Sequence, residues 1–484
     1  MIDSYLLQHF SGYIDGQWVG ADSNETMAVV NPATGEALAR VPNMGAAETR
    51  RAIAAGNAAR GQVPDVMARR RWMESIRDAL RAEKHEIGRI LCLEHGKPWR
   101  EAEAEVDYAA SFFDYVASAM VDVLAPEVLP GKVKDCAWTV YKRPIGVVGL
   151  ITPWNFPIAM IAKKLAPALA AGCPCIVKPA GQTPLTMIAL FQVMLDRLAL
   201  PDGMVNLVMG DAERIGGVLM DAADVPMISF TGSTAVGRML MQQAAPHIKK
   251  LSLELGGNAP FIVCDDADLD AAAAGLVANK FRGAGQTCVC ANRVYVQAGV
   301  HAAFARKVVD RVKALKVGNG LDAHTDIGPL IDVAGFDKVK EQLVDALARG
   351  AHMLTGKRPE ELDAEQSLLF PPTILTGVTP DMQCCRYETF GPLIPLLRFD
   401  TDAQVLAAAN DTEYGLAAYV FGADKARAQR LIAGLHFGHC GYNTGTGPAA
   451  PMPFGGMVSS GLGREGGREG LLEYVELQTV PDGS

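Results

Sequence analysis

Ile145-Gly146-Val147-Val148-Gly149-Leu150-Ile151 is an apolar run of strand length, and the residues after it repeat its rhythm. Ile158 to Ala171 reads as a helix, Cys175 to Val177 as a strand, Leu185 to Leu200 as a helix and Val205 to Val208 as a strand. Met227 to Phe230, the helical run Val236 to Ala245 and Leu251 to Leu255 continue the pattern. Strands alternating with helices imply a parallel sheet covered on both faces. A second stretch follows, with a strand at Ala259 to Val263, a helix at Leu269 to Phe281 and a strand at Val294 to Val296. The fold class is α/β, in two similar layered units with no sequence repeat.

The composition sets the outer bounds. A chain of 484 residues, 49% of them hydrophobic, is too long for one core and suits two or three domains. Its net charge of −9, from 45 basic and 54 acidic residues spread without long runs, is no nucleic-acid footprint. The uncharged run Pro144 to Ala162 has membrane-span length, but Pro144, Pro153, Asn155 and Pro157 interrupt it, and a buried strand and helix explain it better. Neither nucleic acid nor membrane is expected as a partner. Met1-Ile2-Asp3-Ser4-Tyr5 shows no basic region followed by an apolar one, so a cytoplasmic protein is expected.

Ten cysteines without a C-x-x-C pair make neither a disulfide framework nor a zinc ribbon, and reduced thiols are expected. His436-Phe437-Gly438-His439-Cys440 reads as a helix handing over to a strand rather than as a metal site.

One of these thiols stands apart. Cys288 lies in Gly283-Ala284-Gly285-Gln286-Thr287-Cys288-Val289-Cys290, where small residues let the backbone approach a pocket and backbone N–H groups can hold an oxyanion. Glu254, in Leu253-Glu254-Leu255-Gly256-Gly257, is an upstream candidate base. For Cys290 two readings stand: a small apolar side chain packed under the loop, or a second thiol able to trap an oxidised Cys288. Phe230-Thr231-Gly232-Ser233-Thr234-Ala235-Val236-Gly237 reads as a short strand turning into a helix whose first N–H groups can meet a pyrophosphate. Gly461-Leu462-Gly463-Arg464-Glu465-Gly466 satisfies G-x-G-x-x-G, but too little chain follows for a βαβ unit, so it is discounted as a dinucleotide fingerprint.

Together Gly285-Gln286-Thr287-Cys288, Leu253-Glu254-Leu255-Gly256-Gly257, Pro153-Trp154-Asn155-Phe156-Pro157, Phe230-Thr231-Gly232-Ser233 and Glu388-Thr389-Phe390-Gly391-Pro392 resemble the aldehyde dehydrogenase superfamily in content, order and spacing. The likeness runs from Asn31-Pro32-Ala33-Thr34-Gly35 to Pro453-Phe454-Gly455-Gly456 and beyond; around Cys288 and at Gly461 to Gly466 it is most similar to succinate semialdehyde dehydrogenases. The resemblance implies a Rossmann-like cofactor domain (1–120 and 142–255), a catalytic domain (256–453) and a small β oligomerisation flap (121–141 and 454–484), with a homodimer or homotetramer expected. Leu471 to Leu477 partly alternates, as a flap strand would.

The resemblance also implies roles. Cys288 is the nucleophile, Glu254 the base for thioester hydrolysis, and Asn155 an oxyanion donor beside the Cys288 N–H. NAD or NADP is the expected cofactor: Lys178 would meet the adenosine ribose, Glu388 the nicotinamide ribose, Thr231, Gly232 and Ser233 the pyrophosphate, with Trp154 and Phe390 packing near the nicotinamide. Relatives that prefer NAD often carry a carboxylate where this chain has Gly181, so a 2′-phosphate meets no repulsion there. Acylating relatives that use coenzyme A generally lack the glutamate at the Glu254 position, so release of a free acid is expected.

The chain departs from this pattern at the substrate's far end. Where semialdehyde dehydrogenases hold a distal carboxylate with two arginines and a serine, this chain has Lys163, Arg282 and Pro448. An acid-bearing aldehyde is expected, with succinate, glutarate or 2-oxoglutarate semialdehyde or a sulfonated short aldehyde as candidates. A silent binding member would have lost Cys288 or Glu254, and a cofactor-free thiol hydrolase would not need Lys178, Glu388 and Phe390.

Overall fold

Five strands run parallel in the order Val205–Leu207, Cys175–Lys178, Val148–Ile151, Met227–Thr231 and Lys250–Glu254 of a computed structural model. It describes residues 2–131 and 133–483; Met1, Lys132 and Ser484, which the segment boundaries above include, lie outside the described residues. The winding starts at Val148–Ile151, proceeds outward to one side, then returns to Met227–Thr231 on the other. A crevice therefore opens at the carboxyl ends of these two strands, the place where ligands bind in open α/β sheets.

The strands Val148–Ile151 and Cys175–Lys178 are buried along their whole length, as expected for strands with helices on both faces. The helix Pro157–Ala171 packs on one of those faces, begins on a proline at its first position and stops at Gly172 in the left-handed conformation. Antiparallel strands close the sheet, Gly12–Ile14 and Gln17–Val19 on one edge and Gly461–Leu462 on the other, where Gly461 pairs with Glu254. The run 144–162 is thus the end of a strand, a second strand and half a helix; among the described residues no helix is long and apolar enough to cross a membrane.

A second sheet of seven strands, running from His352–Thr355 at one edge to His439–Tyr442 at the other, has Ala259–Val263 and Ala291–Gln297 at its centre. A separate core surrounds it, rich in phenylalanine and built around Phe261, Phe304, Phe336 and Phe399. His436 to His439 spans the step from the helix Lys425–Gly434 to the strand His439–Tyr442, as the sequence suggests.

A third, three-stranded antiparallel sheet joins Glu127–Val128, Ala137–Pro144 and Val475–Asp482, the last two in register from Val475 opposite Pro144 to Asp482 opposite Ala137. Here the structure corrects the sequence reading. Leu471 and Leu472 belong to the helix Gly467–Leu472, and the strand starts only at Val475. Residues 121–124 likewise complete the helix Trp99–Leu124, the partner strand continues past Tyr141 to Pro144, and Gly461–Leu462 joins the large sheet. Alternation misleads in this tail because the helix is short and its buried Gly470 and Leu471 break the strand pattern only locally.

Candidate active site

Helix Leu269–Lys280 delivers the chain to a turn at Arg282–Gly285 in which Gly283, Ala284 and Gly285 all take positive φ, at 56°, 59° and 79°. At Gly285 a Cβ would stand 2.4 Å from the Gly391 carbonyl oxygen, so the turn requires glycine there. Gln286 fastens the loop, its amide donating to the Gly283 carbonyl at 3.0 Å and accepting from the Ile331 N–H at 2.9 Å. The result sets Cys288, half-buried, in a cleft of about 270 Å³ between the two large sheets.

Trp154, Asn155 and Phe156, which follow the first strand of the winding, form one wall of this cleft, and Thr231, which ends the fourth, forms another with Gly232 and Ser233. The side-chain amide of Asn155 donates to the Gln286 carbonyl at 2.9 Å, and its Oδ1 has no partner among the described residues. An amide donor thus lies against the nucleophile loop, with a second N–H left for a ligand. Burial pushes the Cys288 thiol up to about 12; Lys163 opposes this, while Glu388, Glu254 and Cys290 add to it.

Glu254 is 3% exposed, ends its strand, and neither carboxylate oxygen has a hydrogen-bond partner among the described residues. Burial drives its carboxyl well above the ordinary range, Glu465 adds to that, and Lys163, Lys164 and Arg464 oppose it. An uncommitted buried carboxyl with a raised pKa has the profile of a proton acceptor. It does not form the cleft surface itself but lies behind it, on the side of the lysines.

Those lysines come from the helix Pro157–Ala171. Lys164 donates to Ser229 Oγ at 3.0 Å and to Glu465 at 2.5 Å, and Lys163 stands 3.7 Å from Glu465. Glu465 arrives through the edge strand Gly461–Leu462, so the discounted glycine motif brings an ionic partner to Lys163 and Lys164, beside Glu254, rather than a phosphate loop. The sequence reading missed Lys164 and Glu465, although two adjacent lysines in an otherwise apolar helix are a signal that their charge has a buried partner.

Lys163 lines the cleft with its ammonium 4.7 Å from the Phe454 ring centre. Burial works against its charge, and Tyr108, Glu465 and Glu254 nevertheless hold its pKa above the usual value. Arg282 also lines the cleft, its guanidinium 4.5 Å from the Phe156 ring centre. Pro448 completes this end, its carbonyl accepting from the Tyr108 hydroxyl at 3.0 Å.

The other end of the cleft suits a dinucleotide. Ser233 caps the helix Thr234–Ala244 by accepting from the Val236 N–H, and the buried Thr231 hydroxyl has no partner among the described residues. A Cβ on Gly232 would lie 2.3 Å from the Phe230 ring, so the turn keeps its backbone open to a ligand. Glu388 accepts from the Gly257 N–H at 2.8 Å, and burial lifts its carboxyl to about 7. Phe390, at φ 53°, stands edge-on to Trp154 with ring centres 5.5 Å apart.

Lys178 is 6% exposed, its pKa brought down to about 8 by burial, and among the described residues it bonds only the Pro179 carbonyl, at 3.1 Å. It and Gly181 lie outside the cleft surface around Cys288, at the end of the neighbouring strand Cys175–Lys178 and just beyond. Lys338, on the helix Val333–Ala348, also reaches the cleft, 5.7 Å from the Phe390 ring centre; nothing in the sequence separates it from other helix-surface lysines.

Cys290 is buried and turned away from the cleft, its thiol donating to the Gly285 carbonyl at 3.3 Å and 3.6 Å from Lys280 Nζ. This arrangement favours packing beneath the loop over capture of Cys288.

A half-buried thiol, an uncommitted carboxyl and a crevice at the carboxyl ends of a parallel sheet make up a candidate oxidoreductase site. The aldehyde dehydrogenase family profile matches residues 18–480, and the chain belongs to that family. It is 46% identical over 472 residues to the glutarate-semialdehyde dehydrogenase of Pseudomonas putida, covering 96% of each chain. It is also 46% identical over 478 residues to the NADP(+) succinate-semialdehyde dehydrogenase of Escherichia coli, covering 98% of each. Among solved structures, an oxidoreductase from Marinobacter aquaeolei superposes with a TM-score of 0.97 at 58% identity, each chain covered in full.

Proposed function

We propose that this enzyme oxidises acid-bearing semialdehydes to the corresponding diacids with NAD or NADP. The observation that carries this reading is the placement of two cations, Arg282 and Lys163, in the same cleft as Cys288. A four- or five-carbon chain with its aldehyde at the thiol and an anion toward these cations matches the substrates for which the relatives are named.

Cys288 attacks the aldehyde carbon, and the oxygen of the resulting thiohemiacetal takes its charge between the free N–H of Asn155 and the Cys288 N–H. The nicotinamide cofactor, when bound, supplies the acceptor for the hydride. Thr231 and Ser233 at the helix N-terminus suit its pyrophosphate, Glu388 and Lys178 its ribose hydroxyls, and Trp154 and Phe390 confine its ring end. The thioester left on Cys288 is hydrolysed by water that Glu254 deprotonates.

Succinate semialdehyde is one candidate, and glutarate and 2-oxoglutarate semialdehydes or a sulfonated short aldehyde are the alternatives. Pro448 supplies no hydroxyl, and Lys163 is a point charge without a bidentate fork. The eight-stranded sheet would serve as cofactor domain, the seven-stranded sheet as catalytic domain, and the three-stranded sheet as the flap. Its strand Val475–Asp482 lies at the sheet edge with Leu477 and Val480 exposed, which supports a homodimer or homotetramer. A cytoplasmic location goes with ten free thiols.

The test is a panel of aldehydes of equal length with and without a terminal anion, each with NAD and with NADP, followed by absorbance of the reduced cofactor. Preference for the neutral aldehydes would overturn the reading.

A further inference from the structure

Nothing on the helix Pro157–Ala171 caps its own start, because Phe156 at the N-cap has no side-chain acceptor. The acceptor comes from a different helix. Glu105, on Trp99–Leu124, takes the N–H groups of Ile158 and Ala159 on Oε1 at 3.1 and 3.2 Å. Its other oxygen accepts from Lys97 at 2.6 Å. Lys97 is 2% exposed and donates in addition to the backbone carbonyl of Asn155 at 2.7 Å, with the Phe156 ring centre 4.0 Å from its ammonium.

One turn from Glu105 on the same helix face, Glu101 accepts from the Gly283 N–H at 2.8 Å, in the left-handed turn that leads to Cys288. Lys97, just before the N-cap Pro98, and Glu101 and Glu105, one turn apart on the helix, grip three different pieces of the cleft: Asn155, the nucleophile turn and the start of the lysine-bearing helix. Phe156, between Asn155 and that helix, touches both Lys97 and Arg282.

A buried ion pair made only for stability would gain nothing from this placement, since burying charge costs more than an apolar pair of the same volume. Asn155 needs the help. Its side-chain amide must hold one N–H on the Gln286 carbonyl and present the other to a developing oxyanion, and it lies on a turn between a strand and a helix.

We propose that Lys97, with Glu105, is a positioning residue for the reaction: it fixes the Asn155 backbone so that the amide faces the carbonyl oxygen above Cys288. The proposal rests on Asn155 being the oxyanion donor. A displacement of a donor by about an ångström is enough to cost on the order of a hundredfold in rate.

The test is a double-mutant cycle in the full-length enzyme with a saturating semialdehyde and cofactor. Lys97→Met with Glu105→Gln, which removes both charges together and keeps a carbonyl acceptor for Ile158 and Ala159, is expected to lower kcat roughly tenfold to a hundredfold. KM for aldehyde and cofactor should stay within about threefold, because neither residue touches a ligand. In the Asn155→Ala background the same pair of substitutions should change kcat by less than about twofold, since the group it positions is gone.

Full additivity of the two losses would overturn the proposal and leave Lys97–Glu105 as scaffold. No loss of kcat in Asn155→Ala alone would instead overturn the oxyanion role of Asn155, a different result from additivity. If the double substitution does not fold, Lys97→Arg, which keeps the charge pair but moves the donor off the Asn155 carbonyl, carries the same cycle with the same expected non-additivity.

Discussion

Arg282→Ala should separate acid-bearing from neutral aldehydes. Among the described residues Arg282 makes no hydrogen bond or ion pair, and its guanidinium stands 4.5 Å from the Phe156 ring centre. Truncation therefore strands no partner in the chain, and the loss reports on the ligand rather than on a broken internal pair. A charge-assisted hydrogen bond is worth about 1.5 to 3 kcal/mol, and the half-exposed position of Arg282 places it in the lower part of that range. At about 1.5 to 2 kcal/mol, kcat/KM for an acid-bearing semialdehyde falls roughly tenfold to thirtyfold. A neutral aldehyde of equal length loses only the effect of a looser Phe156, about twofold to threefold. The assay is initial-rate formation of reduced cofactor with matched aldehyde pairs, wild type against variant. Equal losses on both substrates would refute the reasoning and make Arg282 a support of the nucleophile turn.

Cys288→Ala should abolish acid formation and any side esterase activity while cofactor binding, followed by quenching of tryptophan fluorescence, persists; residual acid formation would move the nucleophile elsewhere. In the cofactor-free enzyme, the thiol pushed up to about 12 predicts that iodoacetamide inactivation accelerates about tenfold per pH unit through the alkaline range, and a plateau near neutrality would contradict the buried, unactivated state. Glu254→Gln is expected to keep the initial burst of reduced cofactor and lose steady turnover. In wild type kcat should rise with pH, because the raised pKa leaves Glu254 protonated, and useless as a base, below it. Gly181→Glu has room, since a Cβ there meets nothing nearer than Met27 Sδ at 3.7 Å, and it should cut kcat/KM with NADP about tenfold more than with NAD; unchanged preference would place the ribose elsewhere.

The residues of the site were legible because chemistry restricts them. Cys288, Glu254 and Asn155 stand in short glycine- or proline-marked stretches that only a close backbone approach explains, and the alternating runs from Ile145 to Leu255 correspond to the strands and helices of one parallel sheet. The tail was less legible. Leu471 to Leu477 carries two structures in seven residues, and which one forms depends on Tyr474 and Val475 packing into the core beside the strand Ala137–Pro144.

What the sequence determined by itself was local: the period of each element, the turn that exposes Cys288, and the presence of Arg282 and Lys163. Only the tertiary structure decided the partnerships. Glu465 reaches Lys164 across 301 positions and Lys97 reaches the Asn155 carbonyl across 58. Such pairs leave no periodic trace in a chain, because a buried charge is stabilised by whichever opposite charge the fold brings within about 3 Å, and that distance exists only once the layers have packed.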